Sequence, residues 1–167
     1  VDMNNDDKLV LAIPPFSIEK ILPSISVPEE SRAILNIHFK LNSPGVLPSS
    51  DQFVGVIGGT SHWIFVRNDI VSVTVSAANE LMKMNNESIV ELIWKDVATA
   101  LKEPPAEVPP SRVIKEKRAT FAQTPSELKN RPDTQTSYKN IFLAGDWTNT
   151  GLPATIEGAI CSGYKAA

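Results

Sequence analysis

The chain has 167 residues, 42% of them hydrophobic and 21% charged, with a formal net charge of -3. This is the size and composition of a globular protein that buries a core, and it fits neither a disordered nor a fibrous class. The mild acidity and scattered Lys and Arg residues argue against nucleic acid as a partner, and the single cysteine, Cys161, rules out an intrachain disulfide or a cysteine metal cluster.

A lone cysteine suits a reducing compartment. No apolar run approaches the roughly 18 residues of a membrane span, and the N-terminus lacks a signal-peptide pattern. The cytoplasm is therefore the expected location.

Residues 1–7 are polar and irregular. They read as a frayed start or a cut inside a longer protein, because Lys8 to Ile13 enters at once as a buried strand with nothing before it to pair with. Pro14-Pro15 closes that strand, and Phe16, Ile18, Ile21 and Leu22 fit one face of a short helix ended by Pro23. A polar loop leads to a strand over Ile34–Leu41, and a second loop runs from Asn42 to Gln52.

Phe53–Ile57, Trp63–Arg67 and Ile70–Ala77 are three closely spaced strand candidates with Gly58-Gly59 and Asn68-Asp69 at the turns, a spacing that predicts an antiparallel meander. The period then becomes helical from Asn86. Ile89, Val90, Ile93, Val97 and Leu101 form one stripe, Asn85 or Asn86 is the cap, and Pro104-Pro105 is the stop. Val113–Phe121 reads as a charged strand and Thr124–Tyr138 as a polar loop. Ile141-Phe142-Leu143-Ala144 is a last apolar strand, followed by Gly145-Asp146, a turn and a helix beginning near Pro153. Residues 8–167 thus read as one α+β domain with a mixed, largely antiparallel sheet and flanking helices.

The stretch from Asn140 to Gly163 carries the chemistry. Its order is strand, glycine, carboxylate, loop and helix start. Thr150 and Thr155 are candidate caps, Pro153 suits the first helical position, and the unpaired amides of such a start attract negative charge. Ala154, Gly158 and Cys161 or Ser162 give the helix a face of little bulk, against which either a flat ligand or simply a strand packs. Asp146 alone is equally readable as a turn residue.

The run Gly145-Asp-Trp-Thr-Asn-Thr-Gly-Leu-Pro-Ala-Thr-Ile-Glu-Gly-Ala159 resembles the C-terminal motif of the flavin amine-oxidase superfamily. Within it the run is most similar to the squalene-associated branch, the hydroxysqualene dehydroxylases, with plant-type phytoene desaturases nearly as similar. The likeness is dense over the last two dozen residues and looser before them. Val10 to Pro15 resembles the strand-and-proline entry that follows a Rossmann half, and Trp63, Phe65 and Arg67 resemble a substrate-domain strand, with Val66 where an acidic residue is expected.

The resemblance implies an FAD-dependent oxidoreductase acting on an isoprenoid or squalene-type lipid. Residues 30–121 would supply the substrate-domain sheet and helix, and residues 139–167 the segment that contacts FAD. Gly145 would permit close approach to the cofactor, and Asp146 would accept a hydrogen bond from its ribityl or phosphate region. Trp147 would pack beside the ring or serve only the core. Pro153 would open the helix, whose backbone at Ala154, Thr155 and Ile156 would point at the pyrimidine edge of the flavin, where a reduced ring gathers negative charge. Glu157 has an ordinary explanation as a carboxylate that complements the helix dipole, and no catalytic residue is assigned.

The Gly-x-Gly-x-x-Gly turn that would hold the FAD pyrophosphate is not in the sequence. Gly55-Val-Ile-Gly58-Gly59 has the wrong spacing and reads as a hairpin turn. The partners implied are therefore an N-terminal FAD-binding half of the same protein, an apolar substrate, peripheral contact with a membrane, and self-association of the exposed apolar scar. The alternatives are a non-catalytic binding module with a flavoprotein-like tail, and an amine oxidase. His38 and His62 are isolated and read as structural imidazoles rather than metal ligands.

Overall fold

The fold was analysed in a computed structural model that describes residues 4, 6–48, 51–104 and 107–167. Val1, Asp2, Met3, Asn5, Ser49, Ser50 and Pro105, which enter the readings above, lie outside the described residues. The contacts divide the chain into two compact units, one of Arg32–Ala119 and one of the described residues up to Ser31 together with Thr120–Ala167.

The elements in chain order are β1 (Leu9–Leu11), α1 (Pro15–Ile21), β2 (Ser31–Lys40), β3 (Phe53–Gly55), β4 (Trp63–Arg67), β5 (Ile70–Val75), a single 3-10 turn (Leu81–Lys83), α2 (Asn86–Leu101), β6 (Ser111–Phe121), α3 (Pro125–Lys129), β7 (Ile141–Leu143) and α4 (Ile156–Ala166). Five strands form one sheet in the order β3-β4-β5-β2-β6. The pairs β3 with β4, β4 with β5 and β2 with β5 are antiparallel, so the expected meander is present.

Strict alternation gives this sheet two faces. Ala33, Leu35, Ile37 and Phe39 of β2, Ile64 and Val66 of β4, and Val71, Val73 and Val75 of β5 are buried. Most of them share one core with Ile89, Ile93, Trp94, Val97, Ala98 and Leu101 of α2, the stripe expected from the helical period widened by Trp94. Phe39 and Trp94 rings meet at 5.2 Å between centroids. Asn85 caps α2 by accepting the Ser88 amide hydrogen at 2.8 Å. The stop differs from expectation: Lys102 takes a left-handed conformation with φ of 58° and sends its N–H back to Ala98 and Thr99, so the helix ends before the prolines can act.

In the other unit, β1 and β7 pair in parallel, Leu9 to Ile141 through Leu11 to Leu143. The first strand is thus shorter than Lys8–Ile13, and it is not fully buried, since Val10 is 44% exposed. Its partner comes from about 130 residues later, a pairing that no local pattern announces. Ile18, Leu22, Val27, Phe121, Leu143 and Trp147 form the core.

Two further expectations are corrected. The stretch Thr124–Tyr138 contains α3, capped by the Thr124 hydroxyl, which accepts the Glu127 amide hydrogen, with Pro125 at the first position. The last helix begins at Ile156 instead of near Pro153, because Thr155 is its cap. Among the described residues no helix is long and apolar enough to cross a membrane.

Candidate functional site

The turn after β7 is built on Gly145. Its φ is +149°, and a Cβ there would lie 2.3 Å from Trp147 Nε1, so only glycine fits beside the indole. The Gly145 carbonyl accepts from both the amide of Thr148, at 3.1 Å, and its hydroxyl, at 2.9 Å. The Gly145 amide donates to Ser162 Oγ in α4 at 2.7 Å, and that hydroxyl donates on to the Ala159 carbonyl at 2.6 Å. Trp147 is buried in the core and its indole N–H donates to the Ile13 carbonyl at 3.1 Å. Packing alone accounts for both Gly145 and Trp147.

Asp146 is half-buried. Burial pushes its carboxyl above the ordinary range, opposed by backbone hydrogen bonds at Asp146 and Trp147 and by the positive charge of Arg131. Arg131 is the residue that sequence reasoning missed. Its guanidinium donates to the carbonyls of Asp146 at 3.1 Å, Trp147 at 3.4 Å, Leu152 at 2.9 Å and Thr148, and to Thr150 Oγ1 at 3.2 Å. It also lies 5.2 Å from the centre of the Phe121 ring. Burial lowers the Arg131 pKa and the Asp146 charge raises it. Thr150, expected as a cap, instead accepts from Arg131 and from the Leu152 amide.

At the start of α4, the Thr155 hydroxyl accepts the Gly158 amide hydrogen at 3.1 Å. A Cβ at Gly158 would lie 2.7 Å from the Pro153 carbonyl, so the chain doubles back against this glycine. Gly158 and Ser162 are buried, Gly158 beside the Pro153 carbonyl and Ser162 on the Gly145 amide, so the chain's own loop and turn, and not a strand, meet the low-bulk face at these two positions. The Ala154 amide is already directed at Gln123 Oε1, at 3.4 Å. Among the described residues the amides of Ile156 and Glu157 have no acceptor, as the first turn of a helix requires unless something outside supplies one. Ile156 is 82% exposed and Glu157 is exposed in the first turn. With Ile160 and Tyr164 it forms an exposed apolar stripe at four-residue spacing along α4.

The Arg32–Ala119 unit carries a separate feature. Trp63, Phe65 and Arg67 alternate away from the core on β4, and Phe53 of β3 pairs opposite Phe65. The rings of Phe53 and Trp63 lie 6.2 Å apart and those of Phe53 and Phe65 5.9 Å apart, giving an exposed aromatic cluster on the face opposite α2. Beside it, His38 Nδ1 is 2.8 Å from Ser72 Oγ and Thr74 donates to Asn36 at 2.8 Å. His62 accepts the Ser76 amide hydrogen at 3.1 Å. Both imidazoles thus have protein partners, as structural histidines do. The loop through Gly58 and Gly59 joins β3 to β4 as a turn. No group of three or more His, Cys, Asp or Glu residues among the described residues could hold a metal.

The chain belongs to the flavin-containing amine oxidoreductase family, whose model matches residues 3–167. It is 41% identical to hydroxysqualene dehydroxylase from Zymomonas mobilis, over 100% of this chain and 39% of that protein. It is 43% identical to the enzyme of the same name from Sinorhizobium fredii, over 97% of this chain and 38% of that one. The chain thus spans about two fifths of the length of these relatives. In fold it is similar to the crystal structure of a protein assigned as a protoporphyrinogen oxidase from Exiguobacterium sp. 255-15, with a TM-score of 0.68 and 13% identity over 95% of this chain and 39% of that one.

The family implies a flavin, and the residues present suit one. The α4 start leaves the Thr155, Ile156 and Glu157 amides free on an exposed surface, and the positive end of the helix dipole is there without a formal cation.

Proposed function

We propose that this chain is the C-terminal part of a longer FAD-dependent oxidoreductase acting on an isoprenoid lipid, with a hydroxysqualene-type alcohol as the substrate. The observation that carries the reading is the α4 start, where the Ile156 and Glu157 amides stand unpaired beside a turn held rigid by Gly145, Trp147 and Ser162. A bound flavin would supply the two electrons that replace a carbon–oxygen bond by a carbon–hydrogen bond, with the oxygen leaving as water.

The protein's own part is to bind, orient and exclude water. The Thr155–Glu157 backbone favours electron density at the edge of the flavin, which makes it easier to reduce. Asp146 accepts a hydroxyl hydrogen from the cofactor's chain, Gly145 lets the backbone approach, and Pro153 and Ala154 lead the chain into the helix. Trp147 holds the loop from within the core. Phe53, Trp63 and Phe65 offer an apolar surface to a long hydrocarbon, for which a cluster of exposed rings is otherwise unexplained.

The Ile156, Ile160 and Tyr164 stripe is covered in this reading by the FAD-binding half of the same protein, and its exposure without that half favours self-association. An apolar substrate brings the enzyme to the periphery of a membrane, on the cytoplasmic side.

The test is anaerobic turnover. Full-length protein with chemically reduced flavin is given hydroxysqualene, and squalene is measured by mass spectrometry together with flavin reoxidation. Squalene formed in step with flavin oxidation supports the proposal. Flavin that stays reduced with hydroxysqualene, yet whose oxidised form is bleached by a polyene or an amine, moves the substrate to the desaturase branch or to amine oxidation.

A further inference from the structure

Arg131 stands outside the motif that suggested a flavin contact, yet every polar group it touches lies inside it. Its acceptors are the carbonyls of Asp146, Trp147, Thr148 and Leu152 and the hydroxyl of Thr150, all within the connector between β7 and α4. A guanidinium presents five N–H donors in a rigid plane, and here they are spread over acceptors that span seven residues of backbone. The guanidinium carbon also lies over the Phe121 ring, 5.2 Å from its centre. The connector has no regular secondary structure of its own between Leu143 and Ile156, so its shape depends on such cross-links.

We infer that Arg131 is a positioning residue for the flavin-contacting loop: by drawing four carbonyl oxygens onto one part-buried cation it fixes the path from Asp146 to Leu152 and keeps those carbonyls occupied. This rests on the flavin reading above and adds a residue to that site. Carbonyl dipoles released from Arg131 would be free to turn toward the electron-rich cofactor and repel it, and the α4 start would lose its fixed register with the Gly145 turn. Lysine cannot substitute fully, because one ammonium is a point donor and cannot fork across this set.

A merely structural arginine would affect stability alone, so the experiment separates the two. Full-length protein is prepared as Arg131→Met, as Arg131→Lys, and as Val71→Ala, a core substitution in the other compact unit that lowers the melting temperature without touching the loop. FAD dissociation constants and flavin midpoint potentials are measured at a temperature where all are folded. The expected result for Arg131→Met is a dissociation constant raised about tenfold or more, with the midpoint potential shifted to more negative values, the scale seen when a supporting shell is removed. Arg131→Lys falls between it and the unsubstituted protein, and Val71→Ala stays within about twofold of the latter. If Arg131→Met does not fold, Arg131→Lys decides by the same comparison with Val71→Ala. Affinity and potential in the Arg131 variants equal to those of Val71→Ala overturn this inference and leave the flavin reading standing. An unsubstituted full-length protein that takes up no FAD overturns both.

Discussion

Ser162 Oγ accepts the amide hydrogen of Gly145 at 2.7 Å, which ties the middle of α4 to the turn that ends β7. Ser162 is wholly buried, so water cannot replace it. Ser162→Ala strands the Gly145 amide and costs roughly 1–3 kcal/mol of unfolding free energy, the penalty for a buried polar group without a partner. Urea denaturation of the intact protein reads this directly, and a change below about 0.5 kcal/mol, the range of neutral surface substitutions, contradicts it.

Gly145→Ala is the more damaging change. The added Cβ would sit 2.3 Å from Trp147 Nε1, at a φ that side-chain-bearing residues rarely adopt. Overpacking and backbone strain together cost roughly 3 kcal/mol. Trp147→Phe removes the clashing nitrogen and also the bond to the Ile13 carbonyl, so the double variant loses less than the sum of the two single ones. Strict additivity would show that the indole is not what excludes a side chain at 145.

Asp146 gives a pH dependence of known sign. Its folded-state pKa is raised, chiefly by burial, so between the unfolded and folded values the folded state holds more protons. Stability therefore falls as pH rises through that window, and the deficit is fully present above the folded-state value. Asp146→Asn removes the deficit. The variant apoprotein melts above the unsubstituted one at neutral pH, and the advantage shrinks to nothing as pH falls below the ordinary carboxylate range. An advantage that persists in acid would assign the effect to something other than the charge.

The exposed rings of the Arg32–Ala119 unit predict function without stability. Phe65 is 43% exposed, so Phe65→Ala changes unfolding free energy by about 1 kcal/mol or less. If the cluster binds a hydrocarbon chain, the same variant raises KM for the apolar substrate roughly 3–10-fold, as loss of about 1 kcal/mol of apolar burial requires. An unchanged KM removes this face from the substrate site.

Much of the fold was legible because its signals are local. The alternation of β2, β4 and β5 and the helical period from Ile89 to Leu101 each follow from which side chains must leave water. What escaped was of two kinds. The α3 start, Thr124-Pro125-Ser126-Glu127, carries a cap, a first-position proline and a third-position carboxylate, a signal present in the sequence but masked by the polar residues around it. Arg131 left no signal, because four of its five acceptors are backbone carbonyls 15 to 21 residues away. Any residue supplies a carbonyl, so no side-chain pattern marks the contact. In the motif itself, the resemblance pointed to Gly145, Asp146, Trp147, Pro153, Ala154, Thr155 and Ile156 as a group, and the residue pattern could not separate contact with a cofactor from turn and cap chemistry. The geometry accounts for Gly145, Trp147, Gly158 and Ser162 by packing and leaves the Thr155, Ile156 and Glu157 amides at the start of α4 without an acceptor among the described residues.

The most direct measurement is the visible absorbance of the purified full-length protein, before and after incubation with FAD and gel filtration. The account predicts a yellow protein that retains about one flavin per chain, and a loss of that colour when proline replaces Ile156 and Glu157 in turn, since each substitution deletes one of the free amides at the start of α4. A full-length protein that stays colourless with FAD in excess, or one whose flavin is indifferent to both prolines, would contradict the claim that the start of α4 faces the cofactor.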